Sequence, residues 1–205
     1  MITRLCSHHP LGATSDGRPI VVMACTHPYW SSIQVGSQHL ARQFARNGWK
    51  VLYISAPVTP FHLLRPFFHE LWRRFRSALG SLTAHEDENI FAYIPFSLIA
   101  PAGMPFFRDH FVTGHWFKTI LPSIKRLFAK SNINEIELFY IDNLSYHFLF
   151  DCVPHKTSVF RVMDNHERFP SWHGKAKHLA KAIAQQADLT VYSAHGLEPY
   201  VESLA

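Results

Sequence analysis

Residues 19–57 constrain this chain more than any other stretch. "PIVVMAC" at 19–25 is a short, unbroken apolar run of strand character. The loop "THPYWSSIQ", containing Pro28, follows it. In "VGSQHLARQFARNG" (35–48), Leu40, Ala41, Phe44 and Ala45 recur at helical spacing and Gly48 stands where a helix C-cap belongs. "WKVLYISAP" (49–57) is then a second strand. Strand, loop, helix, glycine and strand in such quick succession form a βαβ unit, which implies parallel strands and a right-handed crossover.

The second half repeats the pattern. "IELFYID" (136–142) and "TSVFRVMD" (157–164) read as strands. "HGKAKHLAKAIAQQAD" (173–188) is a helix with Ala176, Leu179, Ala180 and Ile183 on one face, and "LTVYSA" (189–194) is a further strand. A short helix starts at "HGLEPYVESL", with Ser193 as its expected N-cap. The expected fold is therefore α/β, a Rossmann-like doubly wound and mainly parallel sheet over residues 19–205, preceded by a polar leader at 1–18.

Between the regular halves, at about 58–130, phenylalanines and tryptophans are set among Arg and His. The spacing predicts a helix over 67–82, "FFHELWRRFRSALGSL". At about 100° per residue, Phe67, Phe68, Leu71, Trp72, Phe75, Ala78, Leu79 and Leu82 share one arc, while Arg73, Arg74 and Arg76 lie outside it. Such a helix either packs on a core or lies at a membrane surface with its arginines towards headgroups.

Composition supports a packed core, with 47% hydrophobic residues and only 17% charged. The formal charge of +5 suits a polyanion, a phosphorylated ligand or an anionic membrane without choosing among them. Cys6, Cys25 and Cys152 form no CxxC pair or zinc spacing, which favours a reducing compartment over a disulfide framework. The first twenty residues lack the apolar run of a signal peptide, and no stretch is long and apolar enough to span a bilayer. The expected location is cytoplasmic.

In open parallel sheets, ligands bind beyond the carboxyl ends of the strands. That rule selects the loops 26–34, 142–146 and 164–172. The first offers His27, Ser31 and Ser32 ahead of a helix; it carries no G-x-G-x-x-G dinucleotide fingerprint, and no P-loop occurs in the chain. The third contains Asp164, His166, Glu167 and Arg168 directly after a strand. Asp164 could act as a general base on a hydroxyl, with Arg168 holding an anion. Equally, Asp164 could cap the following turn while Glu167 and Arg168 form a solvated ion pair. Asp164 and His166 alone are too few for a metal site.

The stretches "VVMACTHPYWSSIQVGSQHLARQFARNGWKVLYIS" and "SVFRVMDNHERFPSWHGKAKHLAKAIAQQADLTVYSAHGLEPYV" resemble the N-terminal half of GT-B glycosyltransferases. Within that group they are similar to the membrane-associated glucuronosyltransferase of xanthan biosynthesis and related polysaccharide enzymes. In that family a histidine follows the first strand, and an aspartate follows an arginine-containing strand in the second half. Here His27 and the "FRVMD" of Phe160 to Asp164 match those positions, and Ala187-Asp188 and Ser193 fit the same order.

The resemblance implies an inverting sugar transfer with Asp164 as general base. It implies an acceptor-binding role for this domain, with His27, Ser31, Ser32, Glu167 and Arg168 as candidate contacts to a lipid-linked saccharide. It also implies peripheral attachment to the inner membrane face, for which Trp72, Arg73, Arg74, Phe75 and Arg76 are the candidates. No cofactor, metal or nucleic acid is expected on this domain. The nucleotide-sugar donor belongs to a C-terminal GT-B domain expected to lie outside this chain, so the chain alone is expected to be inactive. A non-catalytic binding or assembly subunit with the same fold is the alternative.

Overall fold

The computed structural model describes residues 17–32, 34–60, 83–84, 89–100, 115–121, 123–130, 133–169 and 175–204. Among them, nine strands form two sheets. The larger holds β1 (Ile20–Ala24), β2 (Lys50–Ile54), β3 (Thr83–Ala84), β4 (Ile90–Tyr93), β7 (Ile136–Ile141), β8 (His155–Val162) and β9 (Leu189–Tyr192), in the order β3-β4-β2-β1-β7-β8-β9. Every pairing in it is parallel except the two-residue β3 edge, which runs antiparallel to β4. β5 (Phe96–Ser97) and β6 (Ile120–Leu121) form a separate antiparallel pair.

The centre of the large sheet is the unbroken apolar run. All five residues of β1 are buried, as are all five of β2, because a parallel strand in mid-sheet meets packed layers on both faces. Helix α1 (Gly36–Arg46) joins them and ends as the sequence anticipates. Gly48 takes φ +82, its N–H donates to the Ala45 carbonyl at 3.0 Å, and the Trp49 N–H donates to the Phe44 carbonyl at 3.0 Å. With the Phe44 and Trp49 rings 5.2 Å apart, this is a complete Schellman stop: a residue without Cβ in the left-handed region and an apolar contact across it.

α1 covers one face, over Val21, Met23, Val51, Tyr53 and Tyr140. The other face carries α2 (Ile124–Lys130), the 3₁₀ turn Leu144–Leu149, α3 (Ala176–Gln186) and α4 (Glu198–Glu202), packed on Val22, Leu52, Phe139, Phe160 and Val162. Layers on both faces make the fold doubly wound, as expected. The region 58–130 supplies a sheet strand, β4, with all four residues buried, where the sequence reading assigns none. The expected helix over 67–82, with Trp72, Arg73, Arg74, Phe75 and Arg76, lies outside the described residues.

One topological fact positions the site. From β1 the chain moves outward to β2 and β4, then returns across the sheet to β7 on the opposite side of β1. The strand order reverses between β1 and β7: the chain leaving β1 passes to α1 on one face and the chain leaving β7 to the 3₁₀ turn on the other, the position at which open α/β sheets hold ligands.

Candidate functional site

Three loops meet at the carboxyl edge. β1 runs into Cys25, Thr26 and His27; β7 runs into Asp142 and Asn143; β8 runs into Met163 and Asp164. The two outer loops carry the residues anticipated from sequence, and the middle one holds the group that ties them together.

Asp142 is fully buried. Its Oδ1 accepts the Thr26 N–H at 3.0 Å, and its Oδ2 accepts the Ser37 hydroxyl in a short hydrogen bond and the Tyr140 hydroxyl at 3.4 Å. Its own N–H donates to the Ala24 carbonyl at 3.1 Å. Next to it, Asn143 Nδ2 donates to the Cys25 carbonyl at 3.4 Å, while its Oδ1 accepts the Ser145 N–H at 3.0 Å and so caps the following turn. Burial pushes the Asp142 carboxyl above the usual range, opposed by the Ser37 and Thr26 hydrogen bonds, the Cys25 thiol and the nearby Arg161 charge. Burial likewise pushes up the Cys25 thiol and the Tyr53 hydroxyl beside it.

Arg161, on β8, reaches the same cluster. Its Nη1 donates to the Tyr140 hydroxyl at 3.3 Å. Its guanidinium lies against the first residue of α1 so closely that a Cβ on Gly36 would meet Nη1 and Nη2 at 2.5 Å. Gly36 thus leaves room for the close approach of another side chain, and no unusual backbone angle calls for glycine there.

The loop after β1 is anchored at both ends. Gln38, fully buried, donates through Nε2 to the Pro28 carbonyl at 3.0 Å and accepts the Val35 N–H at 2.6 Å, the reciprocal half of a capping box. Within the loop His27 and Ser31 are partly buried and Ser32 is exposed. The Ser31 N–H donates to the Pro28 carbonyl at 3.1 Å, and Gln34 Nε2 donates to the Ser31 carbonyl at 2.6 Å.

The loop after β8 differs in detail from both sequence readings. Asp164 is exposed and does not cap the turn; Asn165 does, its Oδ1 accepting the Glu167 N–H at 3.1 Å. Glu167 pairs with Lys177 of α3 at 3.7 Å, not with its neighbour Arg168, because the 3₁₀ turn His166–Arg168 aims it at the helix. Arg168 is exposed. Burial lowers the His166 pKa, and the adjacent Asp164 charge works against that shift. Ser193 is not the expected N-cap, a position taken by Ala194. Its hydroxyl donates to the Met163 carbonyl at 3.0 Å and its N–H to the Val162 carbonyl at 3.1 Å, which fixes the backbone just before Asp164.

The two outer loops are joined through shared neighbours: Thr26 to Asp142, Asp142 to Ser37, and Ser37 to the Met163 sulfur at 3.9 Å. The sequence reading selected the 142–146 loop by position yet named no residue in it. The available signal was an aspartate closing a strand beside the reversal of strand order. Among the described residues no group of three His, Cys, Asp or Glu side chains is placed to hold a metal ion.

The family model described as "Glucuronosyltransferase GumK, N-terminal domain" matches residues 23–193, which takes in all three loops and most of the large sheet. The chain belongs to this family. No curated protein matches it. Among solved structures, sucrose-phosphate synthase from Thermosynechococcus elongatus superposes with a TM-score of 0.58 at 12% sequence identity. At that identity the likeness establishes the fold alone, an α/β Rossmann-like sheet of the kind found in GT-B glycosyltransferases. The match covers 90% of this chain and 45% of that one. This member of a glycosyltransferase N-terminal domain family thus presents Asp164 to solvent at a strand end and buries Asp142 one strand away.

Proposed function

We propose that this chain is the acceptor-binding half of a glycosyltransferase, and that Asp164 is its general base. In the reaction an acceptor hydroxyl attacks the anomeric carbon of a nucleotide-sugar. The bond to the leaving phosphate oxygen breaks, and Asp164 takes the hydroxyl proton. The observation that carries this reading is the exposed carboxylate of Asp164 at the end of β8, one strand from the strand-order reversal, in a chain of this family. His27, Ser31 and Ser32 would line the acceptor side, and Glu167 and Arg168 its outer rim. We assign the donor to a second α/β domain. The test is Asp164→Asn in a complete two-domain enzyme: donor binding unchanged and turnover lowered by at least ~10²-fold, the scale of general-base loss. Near-normal turnover sinks the assignment.

We further propose that the acceptor is a lipid-linked saccharide of cell-surface polysaccharide synthesis, used at the inner membrane face. Among the described residues no helix is long and apolar enough to cross a membrane, so attachment would be peripheral. Support comes from the carboxyl edge. β5 begins just past the end of β4 and is bridged to Val58, past the end of β2. There Leu98 is 50% exposed and Leu121 is 54% exposed, apolar groups at the same end of the sheet as the three candidate loops. The arginines of 67–82 would add attraction to anionic headgroups, about 1 kcal/mol each near the surface. Flotation with anionic vesicles is expected to recover the wild type and lose an Arg73/Arg74/Arg76 triple Ala variant. Equal, weak recovery of both removes the membrane proposal.

A further inference from the structure

We propose that Asp142 is a positioning residue: it fixes the 26–35 loop, with His27, against the first turn of α1 and the end of β8. Its relevance to sugar transfer rests on the acceptor reading of that loop, but the tie itself is a property of this chain.

The geometry specifies a carboxylate. Four donors from three elements converge on its two oxygens: the Thr26 N–H and, at 3.5 Å, the Thr26 hydroxyl from the loop, the Ser37 hydroxyl from α1 and the Tyr140 hydroxyl from β7. Tyr140 receives the Arg161 Nη1–H at 3.3 Å, so the phenolic proton is left to point at Asp142. Arg161, Tyr140 and Asp142 thus form a directed chain of hydrogen bonds that links β8 to the loop. An isosteric amide cannot reproduce this. If Asn at 142 presents its oxygen to Thr26, its NH₂ faces two hydroxyls, and the Tyr140 proton is left with the longer contact to Ser37 Oγ at 3.5 Å in place of a carboxylate.

Burying a carboxylate this deeply is unfavourable, and burial does raise its pKa. A structural tie alone would be served at lower cost by an apolar contact of similar volume. What the carboxylate adds is direction: it sets where the loop leaves β1 relative to Ser37 and, through Ser37, relative to Met163, the residue before Asp164. His27 follows Thr26 directly, so a displaced Thr26 displaces the imidazole.

Amide hydrogen exchange on the 205-residue chain tests this without any acceptor. In Asp142→Asn, amides of residues 26–37 are expected to exchange at least ~10-fold faster, a loss of local rather than global stability, while those of α3 and β9 stay within about twofold of wild type. The His27 imidazole resonance is expected to be sharp and single in wild type and to shift or broaden in the variant, a signature that a loss of packing elsewhere would not give. Ser37→Ala keeps the carboxylate with its Thr26 and Tyr140 bonds and cuts the tie to α1 and, with it, the contact to Met163. It is expected to show the same local pattern more weakly, and serves if the Asn variant does not fold. Unchanged protection of 26–37 in the folded variants overturns the proposal. A uniform loss that includes α3 overturns it equally, because it would mark Asp142 as a general stability element. Either result leaves the Asp164 assignment standing, and failure of Asp164→Asn to affect turnover leaves this one standing.

Discussion

Replacing Gly36 by Ala is expected to change sign with the residue at 161. Gly36 opens α1 with no left-handed φ, so alanine fits the backbone and should stabilise by about 0.4–1 kcal/mol through the unfolded chain alone. The obstacle is Arg161. The new Cβ would stand 2.5 Å from both terminal nitrogens and 2.9 Å from Cζ, about 1 Å inside ordinary contact. The guanidinium is the far end of a flexible side chain, so it moves away at modest steric cost. What it loses is the 3.3 Å hydrogen bond to Tyr140, worth about 1–1.5 kcal/mol at a half-exposed site. The two effects nearly cancel, leaving Gly36→Ala slightly destabilising in wild type. In an Arg161→Ala background no cation stands in the way, and the same change should stabilise by the full ~0.4–1 kcal/mol. The unfolded-chain term is common to both backgrounds, so the coupling is about 1–1.5 kcal/mol, readable from a double-mutant cycle of urea denaturation curves with unchanged m-values. Stabilisation of the same size in both backgrounds, with coupling below ~0.3 kcal/mol, would show that the guanidinium does not rest on this helix turn.

Other perturbations follow from the same contacts. Trp116, 1% exposed, stands edge-on to Tyr146 at 5.7 Å and to Phe148 at 5.6 Å; Trp116→Ala should cost about 3–5 kcal/mol and lower the Tm by roughly 6–20 °C. A drop of only a degree or two would mean this aromatic cluster is not part of the cooperative core. Asp188 accepts both the Ser158 N–H and the Ser158 hydroxyl at 2.7 Å, and these bonds hold its carboxyl below the usual range. A depressed folded-state pKa contributes stability above the unfolded value, lost as pH falls through the folded one. The Tm gap between wild type and Asp188→Asn should accordingly be widest near neutrality and close in acid; a gap that widens on acidification refutes the assignment. Breaking the exposed Glu167–Lys177 pair with Glu167→Gln should move stability by no more than about 0.5 kcal/mol in a chemical denaturation curve.

The fold was legible where hydrophobic period and glycine punctuation agree. β1, α1, Gly48 and β2 follow from "PIVVMAC…NGWKVLYIS" almost residue by residue, because each boundary has a local cause: an unbroken apolar run, a helical stripe, a left-handed glycine. β4 was not legible. "IFAY" is too short to show a period, and its pairing with β2 and β3, distant in sequence or brief, is what makes it a strand. Side-chain partners were the least legible of all. Ser193 has the composition of an N-cap yet bonds Met163, and Glu167 has Arg168 beside it yet pairs with Lys177. Both choices are made by elements about ten to thirty residues away, which no local window contains.

The two aspartates show why part of the site escaped detection. Asp164 drew attention because it heads a run of ionisable residues, and such a run can be tolerated only where water reaches it. Density of charge in sequence is therefore a signal for the exposed rim of a site. Asp142 stands in "IDNLSY", with no charged neighbour for several residues, since any nearby charge would have to be buried as well. Its partners are a backbone N–H, a serine and a tyrosine hydroxyl from positions 26, 37 and 140, and sequence proximity reveals only the last. A lone acid closing an apolar strand should accordingly be read as a candidate tie when that strand borders a reversal of strand order. There the two flanking loops diverge, and something must hold them in register. In this chain the exposed acid is fitted to take a proton and the buried one to fix a loop, and the difference lies in the elements that fold around each.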